Sequence, residues 1–174
     1  MVSNRQTTEE RKALERAGRH AARVAAVQAS YQIDATGTPA SRVLAEFVEH
    51  RFPSPEARST YAGADRAFFS ELVRGAADER SRLDEVIEGA LAEGWSAERI
   101  DRVLRAILRC GAFEIVCRID IPPRVAINEY VEVARAFFEG DEPGFVNGVL
   151  DTIARKTRAA DMEKKPGAAV AGTG

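Results

Sequence analysis

Between Ile100 and Ile115 the residues Ile100, Val103, Leu104, Ile107, Leu108, Gly111 and Ile115 recur at the three-and-four spacing of an α-helix. An apolar stripe this wide needs cover from several sides, so the segment is expected at the centre of a helical core. Its neighbours supply that cover. Pro122-Pro123 stops this helix and begins the next, where an early proline is tolerated. Ile127, Tyr130, Val131, Ala134, Phe137 and Phe138 form the buried face of that next helix, which Glu139-Gly140 closes. Asp141 then stands as N-cap to a last helix carrying Phe145, Val149, Leu150 and Ile153.

The N-terminal part is also helical in pattern. Thr7-Thr8-Glu9-Glu10 resembles a helix start, and Val24, Val27 and Tyr31 mark a buried stripe further on. Gly18 within this helix costs about 1 kcal/mol relative to alanine. Gly37-Thr38-Pro39 ends it, and Val43, Leu44, Phe47 and Val48 give a second, short helix. Phe52-Pro53-Ser54-Pro55 breaks that one, and the stretch to Gly63 reads as a surface loop. Phe68, Leu72, Val73, Ala76, Leu83, Val86 and Ile87 predict one long helix from about 64 to 91. Gly94-Trp95-Ser96 reads as a turn with Ser96 as the next N-cap. No strand-like alternation and no repeat of 20–50 residues appears. The pattern predicts an all-α protein of six to seven helices in bundles that share a core. The expected layout is a polar extension over 1–15, one domain over 16–158, and a disordered tail over 159–174. Within the domain the bundles are expected at about 16–91 and 96–158.

Charge and cysteine content narrow the function. With 25 Lys and Arg against 27 Asp and Glu, the net charge is −2, so nucleic-acid binding requires a local basic patch. Such a patch exists. From Arg16 to Ile33 there is no acidic residue, and Arg16, Arg19 and Arg23 line one flank of the helix with His20 beside them. Arginine forks grip phosphates and stack on unpaired bases. No apolar run reaches the roughly 20 residues of a membrane span and no signal segment is seen, so a cytoplasmic protein is expected. Cys110 and Cys117 lie about 10 Å apart along one helix, too far for a disulfide, which needs less than about 7 Å. With His20 and His50 they make no metal-site spacing, and they read as small core residues. No Gly-rich phosphate loop or nucleophile signature occurs, so neither enzyme activity nor a cofactor is expected.

Several segments together resemble the NusB family of transcription antitermination factors. They are Arg19-His20-Ala21-Ala22-Arg23 through Tyr31, Phe69 to Gly75, Ile107 to Ile115, Pro122 to Ala134, and Phe145-Val146-Asn147-Gly148-Val149-Leu150-Asp151. The resemblance covers roughly residues 16–155. It implies an all-α fold of two helical bundles packed across each other. It implies binding of single-stranded boxA-type RNA of ribosomal RNA leaders together with NusE, a small-subunit ribosomal protein. Other Nus factors and RNA polymerase are implied as indirect partners, and premature termination as the event suppressed. This chain departs from the family in carrying His20 and Ala21 where consecutive arginines are common.

On this resemblance Arg16, Arg19, His20, Arg23, Asp141 and Phe145 are the candidate RNA contacts, and Tyr31 is the candidate partner contact. Arg109, Asn128, Glu129 and Asn147 are expected to form a structural polar network, since a buried amide left unpaired costs a few kcal/mol. A homodimer that covers the same surface is compatible with the sequence. The same module also resembles the N-terminal domain of certain ribosomal RNA cytosine-5 methyltransferases, although those chains continue into an α/β domain and this one is expected not to. A protein-interaction module with little RNA affinity of its own is the remaining alternative.

Overall fold

The structure, a computed structural model, describes residues 3–164. Among them the chain forms nine α-helices and no strand. They are α1 (Ser3–Thr36), α2 (Ala40–Glu46), α3 (Arg58–Tyr61), α4 (Arg66–Asp78), α5 (Arg80–Glu88), α6 (Arg102–Cys117), α7 (Pro123–Phe137), α8 (Glu142–Thr157) and α9 (Ala159–Glu163). A wide π-type turn, Phe47–Arg51, extends α2, and a single 3₁₀ turn, Ala97–Arg99, precedes α6. None of these helices is long and apolar enough to cross a membrane. The all-α class expected from the periodicity is therefore what the chain adopts, with more and shorter elements than the pattern predicts.

Helix α6 lies at the centre, as the width of its stripe requires. It packs against α1, α4, α5, α7 and α8. Every residue from Ala106 to Ile115 is buried. All of them are apolar or glycine except Arg109 and Glu114. Asp101 rather than Ser96 caps this helix. Its carboxylate accepts from the Val103 and Leu104 amides at 2.8 and 3.2 Å, which satisfies two of the first-turn donors left without helical partners.

Other departures from the sequence reading have local causes. The long helix expected over 64–91 is divided at Glu79. The division lets α4 present Phe68, Phe69, Leu72, Val73 and Ala76 to α1, while α5 lays Leu83 and Ile87 against α6. The segment after Phe52 is not a free loop. Phe52 and Tyr61 pack with Phe47 and Phe69 in an aromatic cluster, with ring centroids as close as 5.0 Å. The start of the expected tail is α9, whose Met162 is buried; residues 165–174 lie outside the described residues. Residues 3–15, within the expected extension, form the first turns of α1. Cys110 is buried and burial pushes its thiol up to about 11, while Cys117 is half-buried.

Gly18 shows why a helix accepts its weakest ordinary residue. The loop before α4 crosses α1 here, and the Asp65 amide donates to the Gly18 carbonyl at 3.0 Å. A Cβ on Gly18 would sit 2.6 Å from the Gly63 carbonyl oxygen, a backbone atom. Alanine would gain about 1 kcal/mol of helix propensity, but overpacking of this kind costs about 1–3 kcal/mol. Gly18→Ala is therefore expected to lower the melting temperature by roughly 2–4 °C. An unchanged or raised midpoint in thermal unfolding would show that the loop yields freely.

Candidate nucleic-acid interface

The N-terminal half of α1 stands at the surface. Arg16 is exposed, and so is Arg19, whose guanidinium lies over the Phe68 ring of α4 at 5.2 Å from its centroid. The ring holds the arginine by a cation–π contact while leaving its outer donors free. Arg118, at the end of α6, covers the same ring at 5.4 Å. It is tied to Glu71 and Asp120, each at 2.7 Å. The hydrogen bond from Arg118 holds the Asp120 carboxyl down to about 2, and the charge of Arg19 adds to the effect.

Arg23 differs from the other two. Although the spacing places it on the same flank, its residue is only 3 % exposed. Its Nε and Nη2 donate to Glu114 at 2.9 and 2.8 Å, and its Nη1 lies 3.2 Å from Glu129. Burial works against the charged guanidinium, but Glu114 offsets this by hydrogen bond and by charge and holds the proton above its ordinary range. The expectation of Arg23 as an RNA contact is corrected accordingly, because its donors are already taken inside the protein. The signal for this lies in α6: a lone glutamate in an apolar run has to find a cation.

His20 is half-exposed beside these groups. Its Nδ1 lies 3.0 Å from the Glu129 carboxylate of α7, which leaves Nε2 for another ligand. The four residues Glu114, Arg23, Glu129 and His20 thus form a chain of paired polar groups running from the centre of the core to the surface.

The expected network of Arg109, Asn128, Glu129 and Asn147 does not form. Arg109 is buried and reaches Asp34 of α1 at 2.7 Å and Asp84 of α5 at 2.9 Å. This ties α6 to both neighbours, and the pair of carboxylates is not evident from the sequence. Glu129 belongs to the polar chain from Glu114 to His20. Asn128 and Asn147 are exposed. The amphipathic pattern explains the difference: both asparagines adjoin a buried position, Ile127 and Val146, without sharing its face.

Further along α1, Tyr31 is 39 % exposed. It lines an open, mostly apolar groove of about 570 Å³ with Val27, Phe47, Val103 and Phe137. Asp141 is exposed at the start of α8, and its carboxylate makes no capping hydrogen bond. Phe145 is half-buried, with its ring centroid 5.9 Å from that of Trp95, which is 55 % exposed. The sequence pattern marks Trp95 only as part of a turn, and nothing in it points to this aromatic pair. The structure thus brings Arg16, Arg19 and His20 together on one surface and places Asp141 and Phe145 at the start of another helix.

Comparison with known proteins agrees with this architecture. A family model described as the NusB family matches residues 20–155. The transcription antitermination protein NusB of Caulobacter vibrioides is 49 % identical over 140 residues, which is 80 % of this chain and 94 % of the relative. Its counterpart in Rhodopseudomonas palustris is 47 % identical over 146 residues, or 84 % of this chain and 86 % of the relative. Among solved structures, NusB of T. maritima is similar with a TM-score of 0.68 at 27 % identity, covering 84 % of this chain and 97 % of that one. A chain from a complex of antitermination factors NusB and NusE with double-stranded RNA is similar at 0.66 and 25 % identity, covering 79 % and 96 %.

Proposed function

The chain belongs to the NusB family, and from that premise we propose that it binds boxA-type single-stranded RNA of ribosomal RNA leaders together with NusE. In this role it suppresses premature termination by RNA polymerase. It acts by binding rather than by catalysis, and it works in the cytoplasm, where transcription takes place. The observation that carries the reading is the exposed pair Arg16 and Arg19 beside half-exposed His20, mounted on α1, with Arg19 backed by Phe68. These groups can neutralise phosphates and stack on unpaired bases without any rearrangement of the core. Tyr31 and the apolar groove around it offer NusE a surface on the same helix. An apolar groove with a half-exposed tyrosine at its edge is the composition that buried protein contacts favour. Phe145 with Trp95 offers a second aromatic surface for RNA, with Asp141 near it in sequence.

The burial of Arg23 favours the alternative of an interaction module with weak RNA affinity, since it leaves two free arginines where the sequence suggests three. One experiment separates the two. Binding of a labelled boxA-type RNA would be measured with and without NusE at two salt concentrations. The antitermination reading predicts affinity that rises with NusE and falls with salt, because counterion release drives less of the binding at high salt. RNA affinity absent even with NusE bound would leave only the interaction module.

A further inference from the structure

Asn128 and Asn147 are unusual for where they stand. Each is an exposed residue inside a helix, α7 or α8, and among the described residues neither side-chain amide has a hydrogen-bond partner in the protein. Asparagine is a weak helix former because its short amide competes for the backbone. An exposed position returns no packing to offset that. Both side chains line one open groove of about 370 Å³ between α7 and α8, with Val131, Glu132 and Arg135 on one wall and Pro143 and Gly144 on the other. Glu132 and Arg135 are paired to each other, so the free polar groups facing the groove include the two carboxamides. The wall on α8 is bare: a Cβ added at Gly144, or at Gly148 one turn on, would meet nothing within 4 Å.

The position of the groove decides its occupant. Asn128 directly precedes Glu129, which holds His20 and Arg23. Asn147 follows Phe145 by two residues, on the helix that opens next to Asp141. The groove therefore adjoins the start of α8, since Pro143 and Gly144 of its wall stand between Asp141 and Phe145, and it shares α7 with Glu129. Phosphate contacts from arginine hold a strand but carry no sequence information; that must come from contacts to base edges. A carboxamide presents a donor and an acceptor side by side, the complement of the adjacent donor and acceptor on a base edge. In a single strand those edges are free of pairing and open to a protein.

We propose that the groove between α7 and α8 is a base-reading site, in which Asn128 and Asn147 hydrogen-bond to the edge of an unpaired nucleobase of the bound RNA. The proposal rests on the RNA-binding function above and assigns the source of its sequence preference. Arg16 and Arg19 then supply affinity, and the two asparagines supply discrimination.

The test uses the full chain with NusE present, a fluorescein-labelled boxA-type RNA, and a panel of the same RNA with one base replaced at a time. Asn128→Ala, Asn147→Ala and the double variant are compared with the parent by fluorescence anisotropy. The double variant is expected to bind the unaltered RNA about tenfold more weakly, the scale of one lost base contact. Its preference across the panel should flatten while the dependence of affinity on salt stays the same. Its melting temperature should not fall, because alanine is the better helix former, and this separates a recognition role from a structural one. Parental affinity and preference in the double variant would overturn the proposal. So would a loss of RNA binding that tracks a loss of NusE binding, which would make the groove a protein contact. If the parent itself binds no RNA with NusE present, the RNA-binding function fails first.

Discussion

Glu114→Ala is expected to lower the stability of the protein by about 3–5 kcal/mol, the range for breaking a buried ion pair from one side. In a chain of this size that amounts to roughly 6–20 °C in melting temperature. The size of the effect reflects the surroundings. Glu114 is fully buried and accepts two hydrogen bonds from Arg23, which is itself buried. Without Glu114 the guanidinium keeps only Glu129 at its outer edge, and two of its donors face the core with no acceptor. The same geometry predicts a recovery. Arg23→Met combined with Glu114→Leu removes both charges and refills the volume, and such replacements are often close to neutral. The double variant should therefore be far more stable than Glu114→Ala alone. A Glu114→Ala loss below about 1 kcal/mol, in the range of an exposed pair, would show that water reaches this pair. The double variant also bears on function, since RNA affinity that survives in it agrees with Arg23 acting inside the fold.

Arg16→Ala with Arg19→Ala is expected to weaken boxA-type RNA binding by about 10–100-fold, taking about 1 kcal/mol or somewhat more for each charged hydrogen bond lost. The plot of log affinity against log salt should become shallower by about 1.4, because two phosphate contacts on a single strand release about 0.7 counterion each. Both residues are exposed, so thermal stability should change little, apart from the contact of Arg19 with Phe68. NusE binding should persist, since Tyr31 and its groove lie elsewhere on α1. Undiminished RNA affinity at both salt concentrations would move the phosphate contacts off α1 altogether.

Single residues show how far a sequence of this kind carries. The stripe of α6 announces a central helix because its apolar positions repeat the helical period, and the Pro122-Pro123 start of α7 needs no tertiary information. The break at Glu79 has no such marker. No glycine or proline interrupts Asp78-Glu79-Arg80, and the division arises from the different neighbours of α4 and α5. Arg23 is misplaced by the pattern because helical spacing from Arg19 fixes a face but not its depth. Its depth is set by Glu114, 91 residues away in the chain. Arg109 and Glu114 are legible as a problem, two charges inside an apolar helix, but Asp34 and Arg23 as their partners are not. Asn128 and Asn147 err in the opposite direction. A polar residue at the margin of a stripe reads as buried, and the neighbouring helices leave it facing solvent.

Helix α1 is one continuous element of 34 residues, about 50 Å long at 1.5 Å per residue. Arg16 and Tyr31 ride on it with about 22 Å of axial rise between them. In the proposed function the distance between RNA and NusE is thus set by axial rise, and their relative bearing by helical phase. One residue inserted between Arg23 and Tyr31 would swing the tyrosine about 100° around the axis relative to the arginines, so this stretch does not tolerate a change of length. If RNA and NusE both bind this one conformation of α1, neither gains by shifting it for the other, and cooperation between them passes where the two touch each other.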